Sequence, residues 1–138
     1  MIEPTAETEV FWRELAFGRL VGRRCSSCAT LHPYPRRFCP HCGSEEGEWI
    51  SLPTEATVYS YTLLADAPAE RPYLTSPVVI AIVEFEGGHR MLGLIDGPSD
   101  ESLAIGQRVW FNPCRRGDLV LPGFSRISTE PTSLQKAR

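Results

Sequence analysis

Four cysteines have the spacing of metal ligands. Cys25 and Cys28 form one C-x-x-C pair, and Cys39 and Cys42 form a second pair after ten intervening residues. Two such pairs can close four thiolates around one tetrahedral Zn²⁺, each pair forming a tight knuckle whose backbone N–H groups point at the sulfur atoms. Since four cysteines leave no open coordination position, we expect the zinc to be structural rather than catalytic.

The segment around these cysteines needs a metal in order to fold. Residues 22–48 are rich in Gly, Pro, Arg and Ser and hold few large apolar side chains, whereas zinc binding can contribute roughly 10–16 kcal/mol. Two disulfides or a redox C-x-x-C pair are the alternatives. The start of the chain, Met1-Ile2-Glu3-Pro4, is acidic and does not resemble a secretory signal. We therefore expect a reducing, cytoplasmic setting, which favours zinc.

Two histidines lie close to the cysteines in sequence. His41 stands between Cys39 and Cys42, and His32 precedes them. His41 could displace one cysteine from the metal. Because four thiolates are already correctly spaced, the better interpretation is that His41 lies beside the site or in solvent.

Positive charge is concentrated in the same region. The chain carries a formal charge of −3, yet between Arg13 and Cys42 six arginines stand against one acid, Glu14. Guanidinium groups bind phosphates and carboxylates in bidentate fashion, so this stretch suits the phosphates of a ligand or an acidic protein surface. A solvated basic face is the alternative. The preferred contacts are Arg36 and Arg37, because Pro35 and the nearby knuckle stiffen their backbone. Arg23 and Arg24 are the next candidates.

An amphipathic helix is predicted from about Glu7 to Phe17, ended by Gly18. It carries the aromatic pair Phe11 and Trp12, which is too large for a three-turn helix to leave in water. The pair therefore covers either the core of the chain itself or a partner. As interface anchors, buried Trp and Phe would dominate the contact energy.

After the cysteines the pattern becomes that of β-structure. Strands are predicted at about 57–63, 77–85, 90–95, 108–112 and 119–124, with a Gly87-Gly88 hairpin and one helical turn at about 100–105. Five short strands with this one wide break follow the order of an OB barrel. We expect a mainly β protein with an N-terminal helix (1–18), a rubredoxin-like zinc ribbon (19–52), an OB-fold barrel (53–128) and a polar tail (129–138).

Motifs of common catalytic sites are absent from the sequence. It contains neither G-x-S-x-G nor H-E-x-x-H. The fifth cysteine, Cys114, precedes Arg115 and Arg116, which could lower its thiol pKa and make it a reactive nucleophile. A half-buried cysteine at the end of the fourth strand is the simpler interpretation, because no histidine base is close in sequence.

Several segments together resemble one known family, the acyl-CoA-associated proteins made of a zinc ribbon and an OB fold and termed domain of unknown function thirty-five. The resemblance covers nearly the whole chain. It rests on Phe11-Trp12, the two C-x-x-C pairs, Pro35-Arg36, Glu48-Trp49-Ile50, Val58-Tyr59-Ser60-Tyr61-Thr62, Val83-Glu84-Phe85-Glu86-Gly87-Gly88, Ile105-Gly106-Gln107-Arg108-Val109 and Leu121-Pro122-Gly123-Phe124. One departure is Ala29, which follows the first knuckle where relatives often have Gly.

The resemblance implies an accessory role. Members of this family look like partners of thiolase-fold proteins, such as thiolases, acyltransferases or sterol side-chain aldolases, and some occur beside hydratase-type hot-dog domains. The resemblance implies no activity of the small protein alone. It implies instead that the helix and ribbon help shape the acyl-CoA entrance of the partner enzyme.

Two other functions stay open at this point. OB folds and zinc ribbons also bind single-stranded nucleic acid, but strands two and three here carry one aromatic residue and little positive charge, and the chain is acidic overall. An intrinsic acyl-CoA thioesterase or transferase is the second alternative. No apolar run approaches the ~20 residues that span a bilayer, so no membrane insertion is expected.

Overall fold

The computed structural model describes residues 4–64, 78–96 and 103–126, with one helix and ten strands in these ranges. They are α1 (Glu9–Ala16), β1 (Val21–Cys25), β2 (Leu31–His32), β3 (Gly47–Ser51), β4 (Glu55–Leu64), β5 (Val78–Glu84), β6 (Arg90–Asp96), β7 (Arg108–Phe111), β8 (Cys114–Arg116), β9 (Leu119–Leu121) and β10 (Gly123–Ser125). The polar tail and residues 100–102 of the predicted helical turn lie outside the described residues.

Helix α1 ends where the sequence predicts. Gly18 adopts a positive φ of 82° and donates its N–H to the Leu15 carbonyl, while Arg19 donates its N–H to the Glu14 carbonyl. This pair of hydrogen bonds satisfies the last carbonyls of the helix. The Arg19 guanidinium also donates to the Glu14 carboxylate, with Nε 2.7 Å from Oε1. The helix end is thus fixed by backbone and side-chain contacts together.

The ribbon is a three-stranded antiparallel sheet in the order β2-β1-β3. Strand β1 leads into the first knuckle, as predicted from Leu20-Val21. Strand β3 is the returning strand predicted at Trp49-Ile50, and it pairs with β1 from Val21↔Ser51 to Cys25↔Gly47. The sheet therefore brings the two cysteine pairs together although ten residues separate them.

Five strands close the barrel in the order β10-β6-β5-β4-β7, with β10 pairing again with β7. All neighbours are antiparallel except β10 and β6. The Gly87-Gly88 hairpin between β5 and β6 is confirmed, and both glycines have positive φ. The predicted helix, ribbon and five-stranded OB barrel are thus the observed fold.

The predicted fifth strand, 119–124, was wrong in its bounds. Residues 119–121 form β9, which pairs with β8 in a separate hairpin, and only after Pro122 does β10 close the barrel. Pro122 has no N–H to donate to a ladder, so the strand is interrupted there. Cys114 accordingly begins β8 rather than ending the fourth barrel strand.

The core is continuous from the helix into the barrel. Its buried members include Phe11, Leu15, Val83, Val109 and Phe124. A second, smaller cluster beneath the β8–β9 hairpin holds Val78, Leu94, Cys114 and Leu121. Within the described ranges, no helix is long and apolar enough to cross a membrane.

Candidate metal centre and the neighbouring groove

The two knuckles repeat one backbone arrangement. In the first, Cys25 accepts the N–H of Ala29 and donates its own N–H to the Thr30 carbonyl, at 2.9 Å each. In the second, Cys39 accepts the N–H of Gly43 and donates to the Ser44 carbonyl, at 2.8 Å each. The repetition turns each cysteine pair toward a common centre.

The four sulfur atoms meet at that centre. All lie within 4.8 Å of one another, with Cys25 Sγ 3.5 Å from Cys42 Sγ and Cys28 Sγ 3.6 Å from Cys39 Sγ. A Zn–S bond of about 2.3 Å implies sulfur separations of about 3.8 Å in a tetrahedron, close to these values. A disulfide would need about 2.0 Å, and the four cysteines form none. The residues therefore fit structural zinc, as predicted.

The electrostatics of the cluster suit a bound cation. Backbone N–H groups of Cys28 and Ser27 lower the pKa of Cys25 to about 6, despite desolvation. The hydrogen bond with Thr30 lowers the pKa of Cys28. At Cys42 the Ser44 N–H favours the thiolate, yet the neighbouring sulfurs raise the pKa to about 12. Four converging thiolates repel one another, and Zn²⁺ removes that repulsion by deprotonating and binding all four.

His32, rather than His41, contacts the sulfur shell. His32 is 6% exposed, and its Nε2 lies 3.3 Å from Cys39 Sγ. Burial, together with Arg36 and Arg23, lowers the pKa of His32. In the tautomer that carries its proton on Nε2, the ring would donate that N–H to Cys39 Sγ. His41 is exposed and only its backbone N–H points at Cys39 Sγ, at 3.4 Å. The interpretation of His41 as a non-ligand agrees with this geometry.

The four predicted arginine contacts divide into two pairs. Arg23 donates Nη2 to the Glu45 carbonyl at 2.9 Å, and Arg37 donates Nε to the Glu45 carboxylate at 3.1 Å. These two arginines tie the first strand and the inter-knuckle loop to the second knuckle. Arg24 and Arg36 are exposed, and no acidic side chain in the described ranges pairs with either.

The aromatic pair of α1 is split between the core and the surface. Phe11 is 3% exposed and belongs to the core cluster, so its ring is not available to a partner. Trp12 is half-buried and contacts both clusters. Of the two alternatives for the aromatic pair, Phe11 covers the core of the chain itself. The role of Trp12 as an interface anchor stays a prediction.

Cys114 is buried, 5% exposed. The two arginines that follow it point at backbone carbonyls: Arg115 Nη2 donates to Ala16 at 3.2 Å, and Arg116 Nη1 donates to Arg115 at 3.0 Å. Burial withholds the thiol from substrates, which supports the structural interpretation of this cysteine over the nucleophilic one.

An apolar groove lies where helix, ribbon, barrel and hairpin meet. Its volume is about 270 Å³. Its lining residues are Trp12, Tyr34, Ile80, Leu92, Gly93, Leu94, Leu121 and Pro122. Leu92 is 50% exposed and Tyr34 38% exposed. Sequence reasoning missed this groove, and the only local sign of it was an aromatic residue held between Pro33 and Pro35.

Tyr34 joins the ribbon to the barrel. Its hydroxyl donates to the Leu92 carbonyl at 3.3 Å and accepts the Leu92 N–H. The N–H and carbonyl of Leu92 lie on the edge of β6 along which β10 pairs. Strand β10 pairs with β6 only from Leu94 onward, so it does not reach Leu92. One side chain therefore satisfies both backbone groups of an unpaired edge position.

Both halves of the chain match known domain families. Residues 12–47 match the model of the ChsH2 rubredoxin-like zinc ribbon domain, and residues 49–110 match the model of the ChsH2 C-terminal OB-fold domain. These two regions together make up more than two thirds of the chain and meet at the first residues of β3.

Two relatives are informative. A protein of Thermomonospora curvata named "Probable enoyl-CoA hydratase alpha subunit" is 36% identical over 116 residues, 83% of this chain and 36% of that protein. A "DUF35 domain-containing scaffold protein" of Methanocaldococcus jannaschii is 37% identical over 91 residues, 65% of this chain and 64% of that one. The chain thus spans less than two thirds of either relative.

Among solved structures, one titled "Ltp2-ChsH2(DUF35) aldolase" matches with a TM-score of 0.79 and 28% identity, covering 91% of this chain and 98% of that one. The similarity includes ribbon and barrel together, so the arrangement of the two is shared as well as each part. The chain therefore belongs to the DUF35 family, built from a ChsH2-type zinc ribbon and OB fold.

Proposed function

We propose that this protein is a non-catalytic accessory subunit that binds a thiolase-fold enzyme and helps shape the acyl-CoA site of that enzyme. The observation that carries the proposal is the apolar groove. Isolated domains bury such surface, whereas interfaces expose apolar pockets flanked by aromatic anchors. Trp12 and Leu92 would supply the anchors for an apolar segment of the partner.

The metal centre supports a scaffolding role. Its four cysteines fill the coordination shell of zinc, leaving no position for a water or substrate. The zinc would therefore fold the ribbon and present the loop between the knuckles. That loop carries Arg36, which is exposed like Arg24, and the two guanidinium groups would meet phosphate or carboxylate groups at the edge of the complex.

The names of the relatives support the same proposal. A scaffold protein and an aldolase complex appear among them, and the Thermomonospora relative bears a hydratase name. We infer a thiolase-fold partner first, with a hydratase-type hot-dog protein as a further member of the complex. Acyl-CoA would reach this chain through the complex.

An affinity pull-down from the native host tests the proposal. The tagged protein, kept in zinc, should recover a thiolase-like protein identifiable by mass. Leu92→Asp should abolish that recovery because it places a charge in the groove. Ile105→Asp is the matched control, since Ile105 is similarly exposed at 64% but lies outside the groove.

Three other results would contradict the proposal. Recovery of nucleic acid in a salt-sensitive manner would favour single-strand binding. Hydrolysis of acyl-CoA by the purified chain alone would favour a thioesterase. Equal recovery of the partner by Leu92→Asp and Ile105→Asp would show that the groove is not the docking surface.

A further inference from the structure

Tyr34 is held from two directions. On one side, the chain immediately before it forms β2, whose His32 contacts Cys39 Sγ in the metal shell. On the other side, its hydroxyl bonds to both backbone groups of Leu92, 58 residues away. Burial raises the pKa of Tyr34, so the hydroxyl keeps the proton that it donates.

The segment that carries Tyr34 has little secondary structure of its own. Strand β2 is only two residues long, and residues 33–38 belong to neither helix nor strand. Its position therefore depends on the knuckles at its two ends, which the four sulfur atoms hold together. Without a metal ion the four sulfur atoms have no common bonding partner, and the knuckles lose the bonds that fix the loop.

The edge of β6 depends on Tyr34 in turn. The Leu94 N–H, on the same side of the strand, donates to the Pro122 carbonyl at 3.0 Å. The equivalent N–H of Leu92 donates to the Tyr34 hydroxyl instead of to a neighbouring strand. An unsatisfied edge of this kind is open to water and to foreign strands.

We propose that Tyr34 is a positioning residue that couples the metal centre to the groove. With zinc in the ribbon, Tyr34 covers the β6 edge and forms one wall of the groove. Loss of zinc releases Tyr34, exposes the Leu92 edge and removes that wall. The coupling is a property of this chain alone and does not depend on the identity of a partner.

Amide hydrogen exchange tests the coupling in the intact protein. Stripping zinc with a chelator should accelerate exchange at the Leu92 amide by about tenfold or more, because that amide loses its acceptor. The Leu94 amide, bonded to Pro122, should keep its rate. Unchanged exchange at Leu92 would overturn the proposal, and so would equal acceleration at both amides, which indicates general loosening of the barrel.

The variant Tyr34→Phe provides a second test of the coupling, since it keeps the ring in the groove and removes only the hydroxyl. Its Leu92 amide should exchange rapidly with zinc bound, with no further acceleration when zinc is removed. Tyr61→Phe is the matched control. Tyr61 also donates its hydroxyl to a backbone carbonyl, that of Leu103 at 2.7 Å, but within the barrel. Tyr61→Phe should retain the zinc dependence at Leu92.

Zinc affinity provides an independent measurement on folded protein. Coupling is reciprocal, so Tyr34→Phe should weaken zinc binding by about three- to tenfold in competition with a chromophoric chelator. Tyr61→Phe should bind zinc as the wild type does. Equal zinc affinity in Tyr34→Phe and the wild type would refute the coupling even if the zinc-free protein were too unstable for exchange measurements.

Discussion

Ala29 and Gly43 occupy equivalent positions in the two knuckles. Each follows the second cysteine of its pair and donates its N–H to the carbonyl of the first cysteine, Cys25 or Cys39. Both have positive φ, 66° for Ala29 and 80° for Gly43. Ala29 is the only non-glycine residue with positive φ among residues 4–64, 78–96 and 103–126, so the first knuckle carries backbone strain that the second avoids.

Ala29→Gly should therefore stabilise the zinc-loaded protein. Relief of left-handed strain of about 1–2 kcal/mol exceeds the added chain entropy of glycine of about 0.5–1 kcal/mol. The expected net gain is about 0.5–1 kcal/mol, measured by chemical denaturation with excess zinc. Gly43→Ala is the reverse experiment and should destabilise the protein. A less stable Ala29→Gly variant would show that this strain is not the dominant effect.

His32 should tune the metal without binding it. His32→Phe removes the hydrogen bond to Cys39 Sγ while filling the buried space. Loss of such a contact typically costs 10–100-fold in metal affinity, so zinc binding should weaken by about tenfold in chelator competition. His41→Phe, an exposed change between two ligands, should leave affinity unaltered. If His41→Phe weakened binding more than His32→Phe did, the assignment of the two histidines would be reversed.

Cys39→Ser should lose most of the zinc. The remaining three thiolates cannot complete the tetrahedral shell, and the first fifty or so residues should lose order because metal binding and ribbon folding are linked. Zinc content by atomic absorption and exchange protection of β1 and β3 would measure both effects. Cys114→Ala is the control, since Cys114 lies outside the sulfur cluster and should leave one zinc per chain. Full zinc in Cys39→Ser would count against the site.

The features that sequence reasoning predicted well are local ones. The knuckles depend on cysteines three residues apart, and the helix end depends on Gly18 and its immediate neighbours. The Gly87-Gly88 hairpin is likewise fixed by two adjacent residues. In each case the side chain or the backbone freedom of a short stretch determines the geometry, so the pattern can be read without knowledge of the tertiary structure.

The features that were missed depend on distant contacts. Tyr34 meets Leu92 across 58 residues, and no periodicity in either segment indicates that pairing. Pro122 lies within the predicted strand 119–124, and only the β8–β9 pairing shows that residues 119–121 leave the barrel. The predicted unit boundaries near residues 18 and 52 and the roles of Arg24 and Arg36 stay predictions.

Stability measurements can distinguish the two interpretations of α1, in which its aromatic residues cover either the core of the chain itself or a partner. Phe11 is 3% exposed and lies 5.1 Å from Trp12, ring centre to ring centre. Phe11→Ala should lower the free energy of unfolding by about 3–5 kcal/mol, the usual cost of emptying a buried aromatic position. Thermal and chemical denaturation of the zinc-loaded protein would measure it.

Phe17→Ala is the control for that change, because Phe17 ends the same helix but is 68% exposed. Its ring contacts the Arg19 guanidinium, 5.4 Å from the ring centre, and such exposed contacts contribute about 0.5–1 kcal/mol. Phe17→Ala should therefore change stability by no more than about 1 kcal/mol. Equal effects of the two substitutions would mean that α1 does not cover the barrel in solution, and Phe11 would then return as an anchor for a partner.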